Sequence, residues 1–473
     1  MGLPPSNMDI DIVEQNGMLE YDDSNLILKM LDDDCLFHIL SYLNLQELIR
    51  VEEVCERFEA VAQQVYKTYT TLDFSDHLLR NKFAMQKQIP IAEATAIASR
   101  VGPSIHTLTA KASTFRMNDH QIPNFVGMYF KKLRNVNFHW FKIMDDESLA
   151  EMATAFTGVT VVKLDGCDAT DKVLQGLFKV DQLEVLELPN NPEINGTFFV
   201  ELRNIRDINL ECCHNVNPQL FRQFCEEHPN LRSLNVRNCS WIDRICLQHI
   251  AALSNLETLG ISANYRIISM NDYLILADLP KLKHLQIDCG KNSEWNMDEL
   301  LLKVSIHNQL ESLVLMDKEI TADTEKSLRY LTNIKELDLS SSSKCTDTTL
   351  ESLSCENTLQ RLEIQWAPVT PKGLEMLIKR CPHLRMLNVV KCPNINGDFV
   401  PQILEHLKGR PHMLEMLAND HPRTFPRKKF EKIYTGRNSS KLKKLFTKST
   451  KLQYNNAERT SINLRNIADV SAL

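Results

Sequence analysis

The stretch NLRSLNVRNC, residues 230–239, sets apolar side chains at Leu231, Leu234 and Val236 and a small thiol at Cys239. The alternation Leu234-Asn235-Val236 is the period of a short strand buried on one face, and the thiol follows where the chain must leave that strand. The same spacing returns along most of the chain. Its first apolar residue falls at Ile105, Leu133, Val159, Leu183, Ile205, Leu231, Leu256, Leu282, Leu310, Ile334, Leu359 and Leu384, at intervals of 22 to 28 residues. Twelve phased copies define a repeat array in which each unit packs on its neighbours, so length alone does not count domains.

A period of 20 to 29 residues with this pattern is that of leucine-rich repeats. The second half of a unit carries helical spacing, as in Thr346-Asp347-x-x-Leu350-x-x-Leu353 and Thr370-Pro371-x-x-Leu374-x-x-Leu377. The expected fold is therefore an α/β leucine-rich-repeat solenoid of about 12–14 units, with inner parallel strands and outer helices. Worn units at Tyr69-x-x-Leu72-x-Phe74 and Met413-x-x-Met416-x-Ala418 extend it to residues 69–421, as terminal caps that face water. Thr or Asp ahead of each helical run predicts an N-cap, and Pro229, Pro280 and Pro382 fall just past helices. The ninth position of a unit is Cys167, Asn191, Cys213, Cys239, Asn264 or Cys392 in half of the units, a residue expected to satisfy backbone groups of the turn.

Residues 1–24 hold six acids without a Lys or Arg in the first 23 positions, and read as an acidic disordered leader. Residues 422–473 read as a basic, disordered tail, with eleven Lys or Arg against Glu431 alone between 422 and 452. Its clusters Arg427–Lys429 and Lys441–Lys444, eleven residues apart, resemble a bipartite nuclear-import signal and suggest a cytoplasmic or nuclear location. The chain's net charge of −7 thus leaves about −17 on everything outside 422–452. No apolar run approaches the roughly 18 residues of a membrane span. Thirteen cysteines in 473 residues, odd in number and mostly repeat-phased, fit a reducing compartment better than a disulfide scaffold.

Residues 25–68 have a different texture. Leu36, Ile39, Leu40 and Leu43, then Leu48, Val51, Val54, Cys55, Phe58, Val61, Ala62 and Val65, give helix, break, helix. Asp32, Asp33 and Asp34 suit the first helix N-terminus, and Asn44 with Glu47 forms a capping box for the second. A unit of this size cannot bury two apolar stripes alone, so it docks on the array, on a partner, or on both. The pattern Leu31-x-x-Asp34-x-Leu36-x-x-Ile39-Leu40-Ser41-Tyr42-Leu43, with Leu48 and Val54-Cys55-x-x-Phe58, resembles an F-box, with Asp32 and Phe58 where that family usually has Pro and Trp. The resemblance implies a small all-helical domain that binds the adaptor subunit of SCF-type cullin–RING ubiquitin ligases, and through it a cullin. It implies adaptor contacts at Leu31, Leu36, Ile39, Leu40, Leu43, Leu48, Val54, Cys55 and Phe58. Cys-bearing repeats near 25 residues long resemble those of F-box proteins, and the pairing of motif and array is more specific than either.

The expected function is substrate recognition for such a ligase, the repeats holding a target protein. The alternative is a scaffold without a ligase, whose helices merely cap the array and whose basic tail adds an anionic contact. Twelve strands at about 4.8 Å give an inner face roughly 55 Å long and on the order of 600–700 Å² in area, close to one side of a protein–protein interface. Its positions three, five, seven and eight carry Asp165, Glu187, Asp207, Glu211, Asp288, Asp317, Glu336, Asp338 and Glu363 against Lys111, Lys163, Arg237, Arg361 and Lys391. That excess of acid disfavours nucleic acid on this face. His139 with Trp140, Gln365 with Trp366, and Arg237 are the candidate target contacts, since aromatic and Arg anchors dominate binding energy.

Catalysis by the chain is not expected. GxxxxGK[ST] and HExxH are absent, and no cysteine stands outside a packing role. Cys212, Cys213, His214, Cys225 and His228 have the residue types of a zinc site, but the repeat phase separates them, so neither a metal nor another cofactor is expected.

Overall fold

The computed structural model describes residues 31–418 apart from 75–88, 117–120, 142–152, 154, 264–267, 289–297, 308–309, 317–318, 343, 396–398 and scattered positions from 400 to 413, together with 460–464. Asp317, Asn264, the leader and both basic clusters lie outside the described residues.

The repeat residues build one parallel sheet. Its strands are β1 (Thr71–Asp73), β2 (Thr107–Lys111), β3 (Asn135–His139), β4 (Val161–Asp165), β5 (Val185–Glu187), β6 (Asp207–Asn209) and β7 (Ser233–Val236). They continue as β8 (Thr258–Ser262), β9 (His284–Asp288), β10 (Ser312–Met316), β11 (Glu336–Asp338), β12 (Arg361–Glu363), β13 (Met386–Asn388) and β14 (Leu414–Ala418). Each strand pairs with the next in sequence, and the register never slips. Leu72, Leu108, Val136, Val162, Leu186, Ile208, Leu234, Leu259, Leu285, Leu313, Leu337, Leu362, Leu387 and Met416 form one unbroken row. A slip by one residue would turn every apolar side chain of a strand outward, so the buried row itself fixes the register.

Within 422–473, read from the sequence as unstructured, Thr460–Leu464 forms a fifteenth strand, β15, antiparallel to β14. That is a correction to the tail expectation for these five residues, and it has a physical cause: an uncovered last strand presents unpaired N–H and C=O groups that a passing segment can satisfy.

Outer helices follow most strands and begin at the expected caps. Thr170, Asn217, Asp243, Thr321 and Thr370 each accept a backbone N–H of the first turn through their side chains. Between strand and helix the ninth-position residue ties units together. The Sγ–H groups of Cys167, Cys213, Cys239 and Cys392 donate to the carbonyls of Phe138, Leu188, Leu210 and Ile364, each in the preceding unit. Ser342 Oγ does the same to Leu315. Asn191 donates to Leu164 at 2.7 Å and accepts from the N–H groups of Cys167 and Ala169 at 3.0 and 2.9 Å.

Ahead of the sheet stand three helices, α1 (Asp33–Leu40), α2 (Leu45–Glu52) and α3 (Glu56–Tyr66). The sequence reading merged the last two. Nothing between Glu52 and Glu56 is a strong helix breaker; the chain breaks at Cys55, which is extended, and Leu45 and Leu48 are buried before the break and Val61 and Val65 after it. The joint to the array is direct. Helix α4 (Ile91–Val101) packs on α2 and α3, and Glu52 accepts from Tyr66 Oη at 2.8 Å and Arg100 Nε at 2.6 Å, while Gln46 bonds Glu93. Burial, then the Glu52 carboxylate, pushes the Tyr66 hydroxyl well above its ordinary pKa, and the same carboxylate raises that of Arg100. One apolar core runs from Leu36 to Ala418 without interruption.

Candidate protein-binding surfaces

Among the described residues, two surfaces carry the sequence-predicted contact residues. The first lies on the helical unit. Asp32, extended at φ −74°, caps α1 by accepting the Cys35 N–H at 2.7 Å, and this hydrogen bond lowers the pKa of its carboxyl. Asp32 thus fixes by capping the helix start that Pro fixes by its ring. Arg57 on α3 reaches Asp33 Oδ1 at 2.7 Å and the Leu31 carbonyl at 2.6 Å, holding α1 against α3. Asn44 and Glu47 form the reciprocal capping box at 2.9 and 3.1 Å. Leu36 and Leu40 then face the core, whereas Ile39 is 50 % exposed, Tyr42 80 % and Val54 63 %.

The second surface is the concave side of the sheet. Position eight turns into the left-handed region in eight units, with φ between 55° and 66° at Trp140, Gly166, Asn190, Cys212, Asn238, Ser341, Trp366 and Lys391. The turn aims the backbone N–H of Trp140, Asn190, Cys212, Ser341 and Trp366 at a position-seven carbonyl of the next unit, at 2.7–3.1 Å. Those hydrogen bonds offset the cost, about 1–2 kcal/mol, of left-handed backbone in a residue bearing a Cβ. Trp140 and Trp366 are both more than half exposed there. The Trp140 ring lies over Gly166, where a Cβ would come within 2.5 Å of it, so glycine is required in the neighbouring unit. Lys391 Nζ sits 4.4 Å from the Trp366 ring centroid, a cation–π contact that holds the indole in place. Between the two, the long side chains are cross-linked: Lys163 to Glu187 at 2.7 Å, Arg237 to both Glu211 oxygens at 2.6 Å, and Arg361 to Glu363.

The F-box domain family model matches residues 28–69, the segment that folds into α1, α2 and α3. Residues 28–69 are an F-box domain. A Caenorhabditis elegans relative, "Putative RNA-binding protein EEED8.10", is 20 % identical over 392 residues, covering 80 % of this chain and 52 % of its own. The chain therefore spans about half the length of that curated relative. Among solved structures, the yeast complex of Rad7 and Elc1 is 15 % identical, with 76 % of this chain and 88 % of that chain covered and a TM-score of 0.47. An internalin (inlF) from Listeria monocytogenes is 16 % identical, with 78 % and 94 % covered and a TM-score of 0.36.

Placed on this F-box, the nine expected adaptor contacts divide. Leu36, Leu40 and Leu48 are fully buried in the chain's own core and present nothing to a partner, which corrects their assignment. Leu31, Leu43, Cys55 and Phe58 are half-buried, and Ile39 and Val54 stand out. Tyr42 was missed although the signal was there: Cys35, Ile39 and Tyr42 are four and three residues apart, on the side of α1 away from Leu36 and Leu40. On the concave face His139, 3.4 Å from Asp165, adjoins Trp140, and Gln365 donates to Glu363 at 3.2 Å beside Trp366. Nine strand spacings, about 43 Å along the arc, separate β3 from β12, so the two tryptophans are separate posts with Arg237 between them.

The cysteine and histidine cluster 212–228 does not converge. Cys213 is in the ladder, Cys225 is buried under the outer helix 218–227, and His228 is buried against Phe224 with its ring 4.4 Å away. Among the described residues no three His, Cys, Asp or Glu side chains come close enough to hold a metal ion. No helix among them is long and apolar enough to cross a membrane. Burial pushes the thiols of Cys167, Cys213, Cys345 and Cys355 up to about 12 and those of Cys381 and Cys392 to about 11, the wrong direction for a nucleophile. Alkylation of the native chain at pH 8, read by peptide mass spectrometry, is expected to label Cys35, Cys55 and Cys212 and to spare these six until the chain is unfolded. The stabilisation from each buried thiol is complete below its ordinary value of 9.0 and is lost as pH rises from there through about 12 for Cys213, since the unfolded thiol ionises first.

Proposed function

We propose that the chain is the substrate-recognition subunit of an SCF-type cullin–RING ubiquitin ligase. The observation that carries this reading is an F-box joined by residues 67–70 to a solenoid of fourteen parallel strands. The outer side of α1 and the turn before α3 dock the ligase adaptor, Ile39, Tyr42 and Val54 being the apolar groups that the fold leaves uncovered. The concave face holds a target protein, with Trp140 and Trp366 as anchors. The chain acts by proximity: holding target and ligase together raises the effective concentration of the acceptor lysine, and the transfer chemistry belongs to other subunits. The two basic clusters in 422–473 support action in the nucleus as well as in the cytoplasm.

Purified adaptor is expected to be retained by the immobilised wild-type chain and lost from a Tyr42→Ala/Val54→Asp double variant with unchanged circular dichroism. Failure of the wild type to retain the adaptor sinks the ligase reading in favour of a scaffold. The curated relative's name speaks of RNA binding for that protein; on this chain the net acidity of the concave face opposes phosphate there.

A further inference from the structure

We propose that a depression over Gly260, midway along the concave face, receives an arginine side chain of the target protein. This rests on the target-binding reading above and adds the chemistry of what is bound. Position five of the neighbouring units carries Glu187, Asn209, Asn235, Gln286 and Val314, but on β8 it is Gly260, flanked in its own strand by the short side chains Thr258 and Ser262. A depression of about 240 Å³ lies over Gly260 and the neighbouring strands. Asn235 leans across its floor, so close that a Cβ on residue 260 would meet its Oδ1 at 2.7 Å.

The groups around this depression differ from the rest of the face. Elsewhere on the face Arg237 and Arg361 pair with Glu211 and Glu363, and Glu187 on the far wall pairs with Lys163. Around Gly260, the side chains of Asp207, Ser233, Thr258, His284, Gln286 and Ser312 have no hydrogen bond or ion pair among the described residues. Asp207 is the charged member of the set. Its half-burial, and secondarily the Glu187 carboxylate, raise the pKa of its carboxyl, against Arg232, Arg206 and Lys163, which lower it. A carboxylate and several neutral acceptors lining one depression suit a donor that can engage more than one of them at once.

A guanidinium suits this set better than an ammonium. It donates five N–H groups from a rigid plane, enough to engage the Asp207 carboxylate and, one or two rungs away at about 4.8 Å per rung, hydroxyl and amide oxygens at once. An anion or a nucleic-acid phosphate would meet Asp207 instead of a donor.

The test uses the full-length chain and a positional-scanning library of fluorescent nonapeptides, with arginine, lysine or citrulline at the scanned position. The wild type is expected to select arginine at one position, at least tenfold over citrulline and severalfold over lysine. Asp207→Asn, which is isosteric and leaves the strand intact, and Gly260→Gln, which fills the depression, are each expected to lose that preference. Glu415→Gln, an acid on the distant β14, should keep it. The proposal is overturned if the wild type shows no arginine preference, if Asp207→Asn retains it, or if Glu415→Gln reduces it equally, which would indicate diffuse acidic attraction. Adaptor capture measured on the same preparations separates the readings: arginine selection without adaptor binding sinks the ligase assignment alone, and adaptor binding without arginine selection sinks this one alone.

Discussion

Leu36→Asp is expected to unfold the F-box, whereas Ile39→Asp leaves it folded and abolishes adaptor capture. The two residues lie three apart on one helix, but Leu36 is 1 % exposed and Ile39 50 %. Replacing a fully buried leucine forfeits about 3 kcal/mol of burial and packing, and an unpaired carboxylate adds several more. That exceeds what a three-helix unit can lose. Because Glu52 couples this unit to α4, the damage should spread into the first repeat, visible as an early melting transition and as new protease cuts between residues 31 and 101. Ile39→Asp moves a charge onto an already wet surface and should cost under about 1 kcal/mol of stability. Under the proposed function its adaptor affinity should fall at least a hundredfold, or about 2.7 kcal/mol. Titration calorimetry with purified adaptor and a thermal melt of each variant decide the matter; a cooperatively folded Leu36→Asp variant would contradict the packing of α1.

Asn191→Leu should be the most damaging substitution of similar size in the array. The side chain is fully buried, and its loss strips partners from the N–H groups of Cys167 and Ala169 and from the carbonyls of Leu164, Leu188 and Pro189. At roughly 1–3 kcal/mol for each orphaned donor, the two N–H groups alone cost about 4 kcal/mol. Cys239→Ala removes one thiol donor to Leu210 and a small volume, for about 1–2 kcal/mol. Asn191→Cys should fall between, since a thiol restores donation to the preceding unit but not acceptance of the two N–H groups. Urea midpoints for the three variants give the order, and equal midpoints for Asn191→Leu and Cys239→Ala would refute this account of the ladder.

The ladder was legible because it repeats. A single Cys239 says little, but Cys and Asn at the same phase along the array mark a backbone position that needs a small polar group. The apolar row from Leu72 to Met416 was legible for the same reason, and it carried the whole sheet register. The F-box yielded less. Its helices announced themselves, but which leucines face a partner depends on where α3 crosses α1, and no period records that crossing; hence Leu36, Leu40 and Leu48 were assigned outward. The break before Glu56 has no Gly or Pro to mark it. The left-handed turn at position eight was only partly legible: Gly166, Asn190 and Asn238 favour it, but Trp140 and Trp366 do not, and there tertiary hydrogen bonds override their preference. The repeat phase does not single out Gly260; only the neighbouring rungs place it in a depression.

Only residues 67–70 separate the end of α3 from β1, and Glu52 clamps the two parts together. A receptor built this way is a bracket of fixed reach. Targets seated at β8 and at β12 would sit four rungs, or about 19 Å, apart along the arc. A stiff joint transmits that offset undiminished to the site of transfer, where a flexible tether would average it away. Under the proposed function, which lysine of a target meets the incoming ubiquitin is then set by the rung its anchor occupies, so moving an anchor by one unit would retarget the modification without altering the fold.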